Sequence, residues 1–240
     1  MAFVCSLAGF AVRIDNRFPH LLRQCGDYLL PDDAPADYVI SVTDDDLAYE
    51  RDHGETAGRF SGGYLESLAV YRKLASAIPL RDAFLLHGSV IDCAGRGIAF
   101  LARSGVGKTT HTLLWKNEYP SDVTVINGDK PLIRFEDGVP YAYGTPWAGK
   151  EGMQINGRTE LSDVCFITRG EENSCREITP GEAAAPLLGQ IYIPREAEAA
   201  AKALSLADRL LKCCRVWEIV CNMDPEAAHT AHDSVFGGKK

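Results

Sequence analysis

The chain has 240 residues, 46% of them apolar, and a formal charge of −8. That length and apolar share suit one large domain, or one domain with a sizeable extension, around a full core. With 33 acidic against 25 basic side chains, and no basic tract besides Lys239-Lys240 (read as a frayed tail), the composition argues against nucleic acid as a partner.

The opening MAFVCSLAGFAV lacks a basic leader and is too short to cross a bilayer, so it reads as a first strand. No segment suggests secretion or membrane insertion, and a cytoplasmic location is expected. Eight cysteines are scattered with no C-x-x-C pair. They read as reduced, mostly buried thiols.

Residues 1–80 form a small β-containing lead-in. Phe10 to Ile14 alternates loosely, Phe18 to Leu30 is compatible with a helix, and Tyr38 to Val42 is a β-branched strand. Asp44-Asp45-Asp46 is read as a solvated turn, since a metal site would need more partners. Gly54 to Gly63 reads as a hairpin or mobile loop. Leu65, Leu68, Tyr71 and Leu74 recur at helical spacing and predict a helix from Tyr64 to Ala77.

Residues 81–240 form the second part, and 83–170 carry the chemistry. Ala83 to Cys93 predicts one strand, Ala94 to Gly97 a tight turn, and Ile98 to Ala102 a buried strand. Then comes Ser104-Gly105-Val106-Gly107-Lys108-Thr109, followed by a helix-compatible run to Lys116. Strand, glycine loop and helix in that order are the context of a phosphate-binding loop. Its glycines let consecutive N–H groups point at an anion, and the helix N-terminus adds partial positive charge. The cradle is assigned to Ser104, Gly105, Val106, Gly107, Lys108, Thr109 and Thr110. Lys108 can reach the β- and γ-phosphates of ATP, and the Thr109 hydroxyl can ligate Mg²⁺. One position departs from G-x-x-x-x-G-K-[ST]: Ala102 replaces the first glycine. His111, on the helix, reads as a surface or packing residue.

Val123 to Ile126 is a further strand, ending in Asn127-Gly128-Asp129-Lys130-Pro131. Asp129 stands where open α/β sheets place ligand groups. It can hold Mg²⁺ or take a proton from an attacking hydroxyl, and both roles stay open. Lys130 can pair with it or touch phosphate. His87, beside Gly88, can face the γ-phosphate or the acceptor. A hairpin over Leu132–Tyr143 leads to Gly144–Gly152. There Lys150 can neutralise a transferring phosphoryl group, and Glu151 can be a second metal ligand. Val164 to Ile167 is another strand. Beyond it, Thr179-Pro180-Gly181-Glu182 has the form of a capping box, and Pro186 should kink or end that helix early. Ala199, Ala203, Ala207, Leu210, Leu211 and Cys214 share one helix face. Val216 to Cys221 is a closing strand, and Asp224-Pro225 caps a last helix with Ala227, Ala231 and Val235 inward.

Together, His87-Gly88, Gly95-Arg96-Gly97, Ile98–Leu101, Ala102–Thr109 and Asp129 resemble the catalytic domain of HPr kinase/phosphorylase over about 85–170. That resemblance implies a P-loop kinase domain with a mixed β-sheet, of the kind shared with phosphoenolpyruvate carboxykinase, and Asp129 at the position of the family's base. A second pattern, GDKP at Gly128–Pro131 with YGTPW-x-GK at Tyr143–Lys150, is similar to HPr-kinase-like bacterial proteins. Several departures lower the case for HPr itself as acceptor and for the reverse reaction. Thr110 replaces the glutamate expected after the GK[ST] triad. The family's later arginine–glycine signature is not reproduced, with Gly149–Gly152 in its place. About 80 different residues stand for the family's large N-terminal domain. The expectation is an ATP- and Mg²⁺-dependent kinase acting on a hydroxyl, with Asp129, His87 and Lys150 as catalytic groups and Thr109, Asp129 and Glu151 around the metal. The acceptor is expected to be a small metabolite. A protein or peptide serine, or a non-catalytic nucleotide-binding module, are the alternatives. Pyrophosphate as donor and a homo-oligomer remain open.

Overall fold

The apolar opening folds back on itself. Strands β1 (Ala2–Leu7) and β2 (Phe10–Asp15) pair antiparallel with Leu7 opposite Phe10. Ala8 (φ 51°) and Gly9 (φ 74°) supply the two left-handed residues of the turn, so the single strand expected here is a hairpin. A computed structural model describes residues 1–53 and 60–237 of the chain, which divides into two units, Met1–Ile78 and Pro79–Lys240. Most of the glycine-rich loop expected at 54–63 and the tail Lys239-Lys240 lie outside the described residues.

In the first unit, α1 (Pro19–Gln24) and a 3₁₀ turn at Gly26–Tyr28 precede a two-residue strand β3 (Leu29–Leu30). The helix expected to reach Leu30 is therefore six residues long. With β4 (Tyr38–Ser41) these strands form a sheet of order β3-β1-β2-β4, with β4 parallel to β2. The acidic triplet begins a helix, α2 (Asp44–His53), instead of forming a solvated turn. Thr43 and Asp46 make reciprocal side-chain-to-backbone bonds, and the Asp46 carboxylate also pairs with Lys73 at 2.6 Å and Arg72 at 3.2 Å. Burial pushes the Asp46 carboxyl up, but the bonds from Lys73, Thr43 and Arg72 outweigh it and hold the group well below the usual carboxylate range. The helix α3 (Gly62–Ala77) buries Leu65, Leu74 and the full side chain of Glu66. Glu66 accepts the N–H groups of Arg17 (2.5 Å) and Phe18 (3.1 Å) at the start of α1.

In the second unit, the chain from Ala83 does not form one strand. β5 (Ala83–Leu85) pairs with β9 (Leu132–Glu136), whereas β6 (Ser89–Cys93) pairs with β7 (Arg96–Leu101) and β8 (Val123–Asn127). The interruption falls at Leu86–Gly88. Helix α4 (Lys108–Glu118) follows β7, and β9 makes a hairpin with β10 (Val139–Tyr143) through Asp137 (φ 48°) and Gly138 (φ 94°). The strand expected at Val164–Ile167 is part of a longer one, β11 (Arg158–Arg169). The sheet runs β5-β9-β10-β11-β7-β6-β8. β13 (Arg215–Cys221) also lies parallel to β11, and β12 (Ser174–Glu177), which sequence reading missed, covers β13 antiparallel. The expected closing strand is thus an inner one.

Period-2 alternation decides the layers. Ala99, Leu101, Val164 and Phe166 pack in one core with residues of α5 (Pro180–Leu188) and α6 (Ala197–Cys213). Ile98, Phe100, Cys165 and Ile167 pack in another with Trp115 of α4 and Ala227, Ala231 and Val235 of α7 (Glu226–Phe236). Both faces of the parallel trio β7, β11 and β13 are buried, which accounts for their nearly continuous apolar runs. The capping box at Thr179 and Glu182 forms, and α5 continues through Pro186, which cannot donate to the Glu182 carbonyl one turn back, and ends two residues later. At α7, Asp224 makes no side-chain cap; its carboxylate accepts from Asn222 instead. A fully buried Asp163 on β11 accepts from Arg96 (2.5 Å), Trp217 (2.8 Å) and Arg215 (3.1 Å), tying three strands together. All eight cysteines are free thiols. Among the described residues no helix is long and apolar enough to cross a membrane.

Candidate active site

The loop after β7 closes on two left-handed glycines, Gly105 (φ 79°) and Gly107 (φ 122°). Gly107 is the N-cap of α4, and no side chain caps that end. The first N–H groups of α4 are thus left to an external acceptor. Nothing lies within 4 Å of a Cβ built on either glycine, so the loop mouth has room for a bound group. Ser104 and Gly105 are exposed, and Val106, Gly107, Thr109 and Thr110 are half-buried. Lys108 is buried at 9% exposure, with Nζ donating to the Ala102 carbonyl at 2.9 Å. Position 102 therefore serves through its backbone, which a missing glycine does not disturb.

Three ionisable side chains converge beside Lys108. Its Nζ lies 3.5 Å from His87 Nε2, and that nitrogen lies 3.3 Å from Asp129 Oδ1. Lys130 Nζ lies 2.5 Å from Asp129 Oδ2. The strand interruption explains the position of the histidine. His87 N–H donates to the Gln190 carbonyl (2.7 Å) and Gly88 N–H to the Asp129 carbonyl (2.8 Å), so the chain turns from β5 to β6 against the end of β8. The close approach favours glycine at 88, because a Cβ would stand 2.4 Å from Leu101 Cδ2 and 3.0 Å from the Phe100 carbonyl. Burial pushes the Asp129 carboxyl up, yet the His87 hydrogen bond and Lys130 outweigh it and lower the group to about 2. The carboxylate is therefore ionised throughout the neutral range.

Asn127 organises this end of β8. Its Oδ1 accepts the N–H groups of Asp129 (2.9 Å) and Lys130 (2.8 Å), and its Nδ2 donates to the Thr145 carbonyl (3.0 Å) and Oγ1 (3.1 Å). Thr145 in turn donates to the Lys130 carbonyl at 2.8 Å. The GDKP and YGTPW segments are in this way one hydrogen-bonded unit. Gly149 (φ 77°) brings the loop back over the site, with a built Cβ 3.2 Å from Asp129 Cβ. Lys150 and Glu151 beside it are exposed, whereas Trp147 is buried at 6% exposure. His111 is a packing residue, 1% exposed, with Nε2 accepting from Trp115 Nε1 at 3.0 Å. Burial lowers its pKa to about 4. Among the described residues no three His, Cys, Asp or Glu side chains form a metal-binding group.

Sequence reading missed Arg169, the last residue of β11. Its Nε donates to the Val106 carbonyl (2.8 Å) and its Nη2 to the Gly105 carbonyl (2.6 Å). Two loop carbonyls are thereby held by a planar fork. An arginine at a strand end carries no motif, and only the position of β11 beside β7 could have pointed to it.

No family model matches the chain, and neither does any curated protein. Among solved structures, the Hpr(Ser) kinase/phosphatase from Coxiella burnetii aligns over 51% of this chain and 92% of its own, at 12% identity and a TM-score of 0.31. A superposition that loose carries no argument, so the functional reading rests on the residues of this chain.

Proposed function

We propose that the chain is a kinase that transfers the γ-phosphoryl group of ATP to a hydroxyl of a small metabolite. The observation that carries this reading is the cluster of Lys108, His87 and Asp129 at a glycine loop and a helix N-terminus. A loop alone would hold phosphate; an ionised carboxylate beside its lysine adds a group that can meet an acceptor hydroxyl. The backbone N–H groups of Gly105 and of Gly107 to Thr110 hold phosphate oxygens, while the Val106 N–H stays on the Arg103 carbonyl (3.2 Å), and Lys108 leaves the Ala102 carbonyl to neutralise them. Thr109 would hold Mg²⁺, with Glu151 as a carboxylate beside it, and the ion would supply charge neutralisation on the phosphates, which leaves Asp129 to the acceptor. The small donor set suits a cation that takes one or two carboxylates along with phosphate oxygens and water.

Asp129 orients the acceptor O–H. As the new O–P bond forms and the bond from γ-phosphorus to the bridging oxygen breaks, the hydroxyl proton passes to the carboxylate and ADP leaves. A carboxylate of such low pKa takes that proton late, once bonding to phosphorus has acidified the oxygen. His87 and Lys150 place and stabilise the transferred group. The test is incubation with γ-labelled ATP, Mg²⁺ and pooled hydroxyl metabolites. A labelled metabolite formed by the wild type and not by Asp129→Asn is expected. Label appearing only in protein would move the reading to a protein or peptide kinase, and no label in any acceptor would end the enzymatic reading.

A further inference from the structure

Arg169 belongs to the sheet, yet its side chain serves the loop. β11 pairs with β7 as far as Phe166 opposite Leu101, where β7 gives way to the loop, and runs on along β13 to Arg169 opposite Cys221. Gly170 N–H donates to the Cys221 carbonyl at 3.1 Å, so the backbone that carries the guanidinium is held. From there Nε reaches the Val106 carbonyl at 2.8 Å and Nη2 the Gly105 carbonyl at 2.6 Å. A planar fork on two successive carbonyls fixes both peptide planes at once, which a single-point donor such as lysine cannot do.

The orientation of those planes decides what the loop shows to an anion. In a trans peptide the C=O and the N–H of the next residue point opposite ways. With the Gly105 and Val106 carbonyls turned to Arg169, the N–H groups of Val106 and Gly107 turn away from it. The Val106 N–H closes on the Arg103 carbonyl inside the turn. Gly107 is the N-cap of α4, so its N–H stands next to the first N–H groups of the helix. Glycine at 105 and 107 lets these planes turn either way at little cost. A flipped plane would present a carbonyl, with its partial negative charge, to a phosphate oxygen. The guanidinium opposes that flip, because it would lose its acceptors. Neither of its bonds involves His87 or Asp129, so the effect falls on the donor side alone.

We infer that Arg169 is a positioning residue of the phosphate site, holding the peptide planes between Gly105 and Gly107 so that the loop meets an anion with N–H groups. The inference rests on the phosphoryl-donor reading of the loop given above. Arg169 is exposed, so its replacement leaves the core on both faces of β11 in place. Calorimetric titration with inorganic tripolyphosphate and Mg²⁺ tests it, because that ligand carries nothing besides phosphate. Arg169→Ala should weaken binding about tenfold or more. Arg169→Lys, which keeps the charge and loses the fork, should recover little of that loss. Millimolar guanidinium, compared with sodium at equal ionic strength, should restore binding to Arg169→Ala and leave Lys108→Ala as weak as before. Unchanged affinity in Arg169→Ala, in a chain whose binding Lys108→Ala weakens, would overturn the role of Arg169 and leave the loop reading intact. So would wild-type affinity in Arg169→Lys, or a loss that guanidinium does not mend. No binding by wild type would overturn both readings.

Discussion

His87 Nε2 stands 3.3 Å from Asp129 Oδ1, and the same nitrogen faces Lys108 Nζ at 3.5 Å. The imidazole thus lies between the residue assigned to phosphate and the residue assigned to the acceptor. Replacing it separates their roles. His87→Gln, which keeps a hydrogen-bonding side chain, should lower kcat by about 10²-fold or more with ATP affinity changed less than threefold, measured by steady-state kinetics and calorimetry. A loss of ATP affinity with kcat intact would show that His87 serves the donor alone.

Lys108→Ala should weaken ATP binding by about 2–3 kcal/mol, the scale of a charge-assisted hydrogen bond, or about 30- to 150-fold in Kd. Unchanged affinity by calorimetry would remove the loop from the reaction.

Asp129→Asn should abolish transfer by about 10²–10⁴-fold while ATP still binds. The same variant carries a pH signature. The Asp129 carboxyl is depressed from 3.8 to about 2, so its contribution to stability is complete above pH 3.8 and is lost as pH falls towards 2. Urea unfolding across that window should show a shallower acid loss in Asp129→Asn than in wild type. Parallel curves would place the carboxylate's partners elsewhere.

His111 acts in a higher window and with a different origin. Burial lowers its pKa from 6.5 to about 4, so the unfolded chain binds the proton first. Stability should fall as pH drops from 6.5 towards 4, with a slope approaching about 1.4 kcal/mol per pH unit. His111→Phe should flatten that slope in equilibrium unfolding. A slope unaltered by the substitution would contradict the assignment.

Asp163 is fully buried among Arg96, Arg215 and Trp217. Asp163→Ala should destabilise the fold by about 3–5 kcal/mol, because it leaves cations without their counter-charge. Thermal or urea denaturation reads this directly, and a change below about 1 kcal/mol would count against it.

What the sequence disclosed, and what it did not, follows physical lines. Gly105, Gly107 and Lys108 sit between an apolar run and a polar helical run, and local chemistry alone settles that geometry. Thr179 and Glu182 cap their helix by a bond between residues three apart, again local. The alternation over 132–143 and Asp137-Gly138 disclose a hairpin for the same reason. The interruption at Leu86–Gly88 was hidden, because every residue from Ala83 to Val90 other than His87 is buried and the apolar run gives no sign of a change of partner. Only the placement of β9 and β7 decides it. Arg169 and Asp163 were hidden likewise, since their partners lie more than 50 residues away in the chain. The glycines and charges of 144–152 suggest Lys150 and Glu151 as site groups. The structure sets them on the exposed part of the loop beside Gly149, and their roles wait on the labelled-ATP assay and the corresponding variants.

The pinning of the backbone at the strand interruption also bears on time. The N–H of His87 is bonded to Gln190 and that of Gly88 to Asp129, so the chain on either side of the imidazole has little freedom. The ring, about 30% exposed, can still exchange one neighbour for another by rotating its own two torsions. Rotamer changes of accessible side chains take picoseconds to nanoseconds, whereas loop and domain closures take microseconds or longer. Repositioning of His87 would therefore keep pace with every encounter of donor and acceptor. In the kinase reading proposed above, no slow rearrangement of the histidine would precede each cycle.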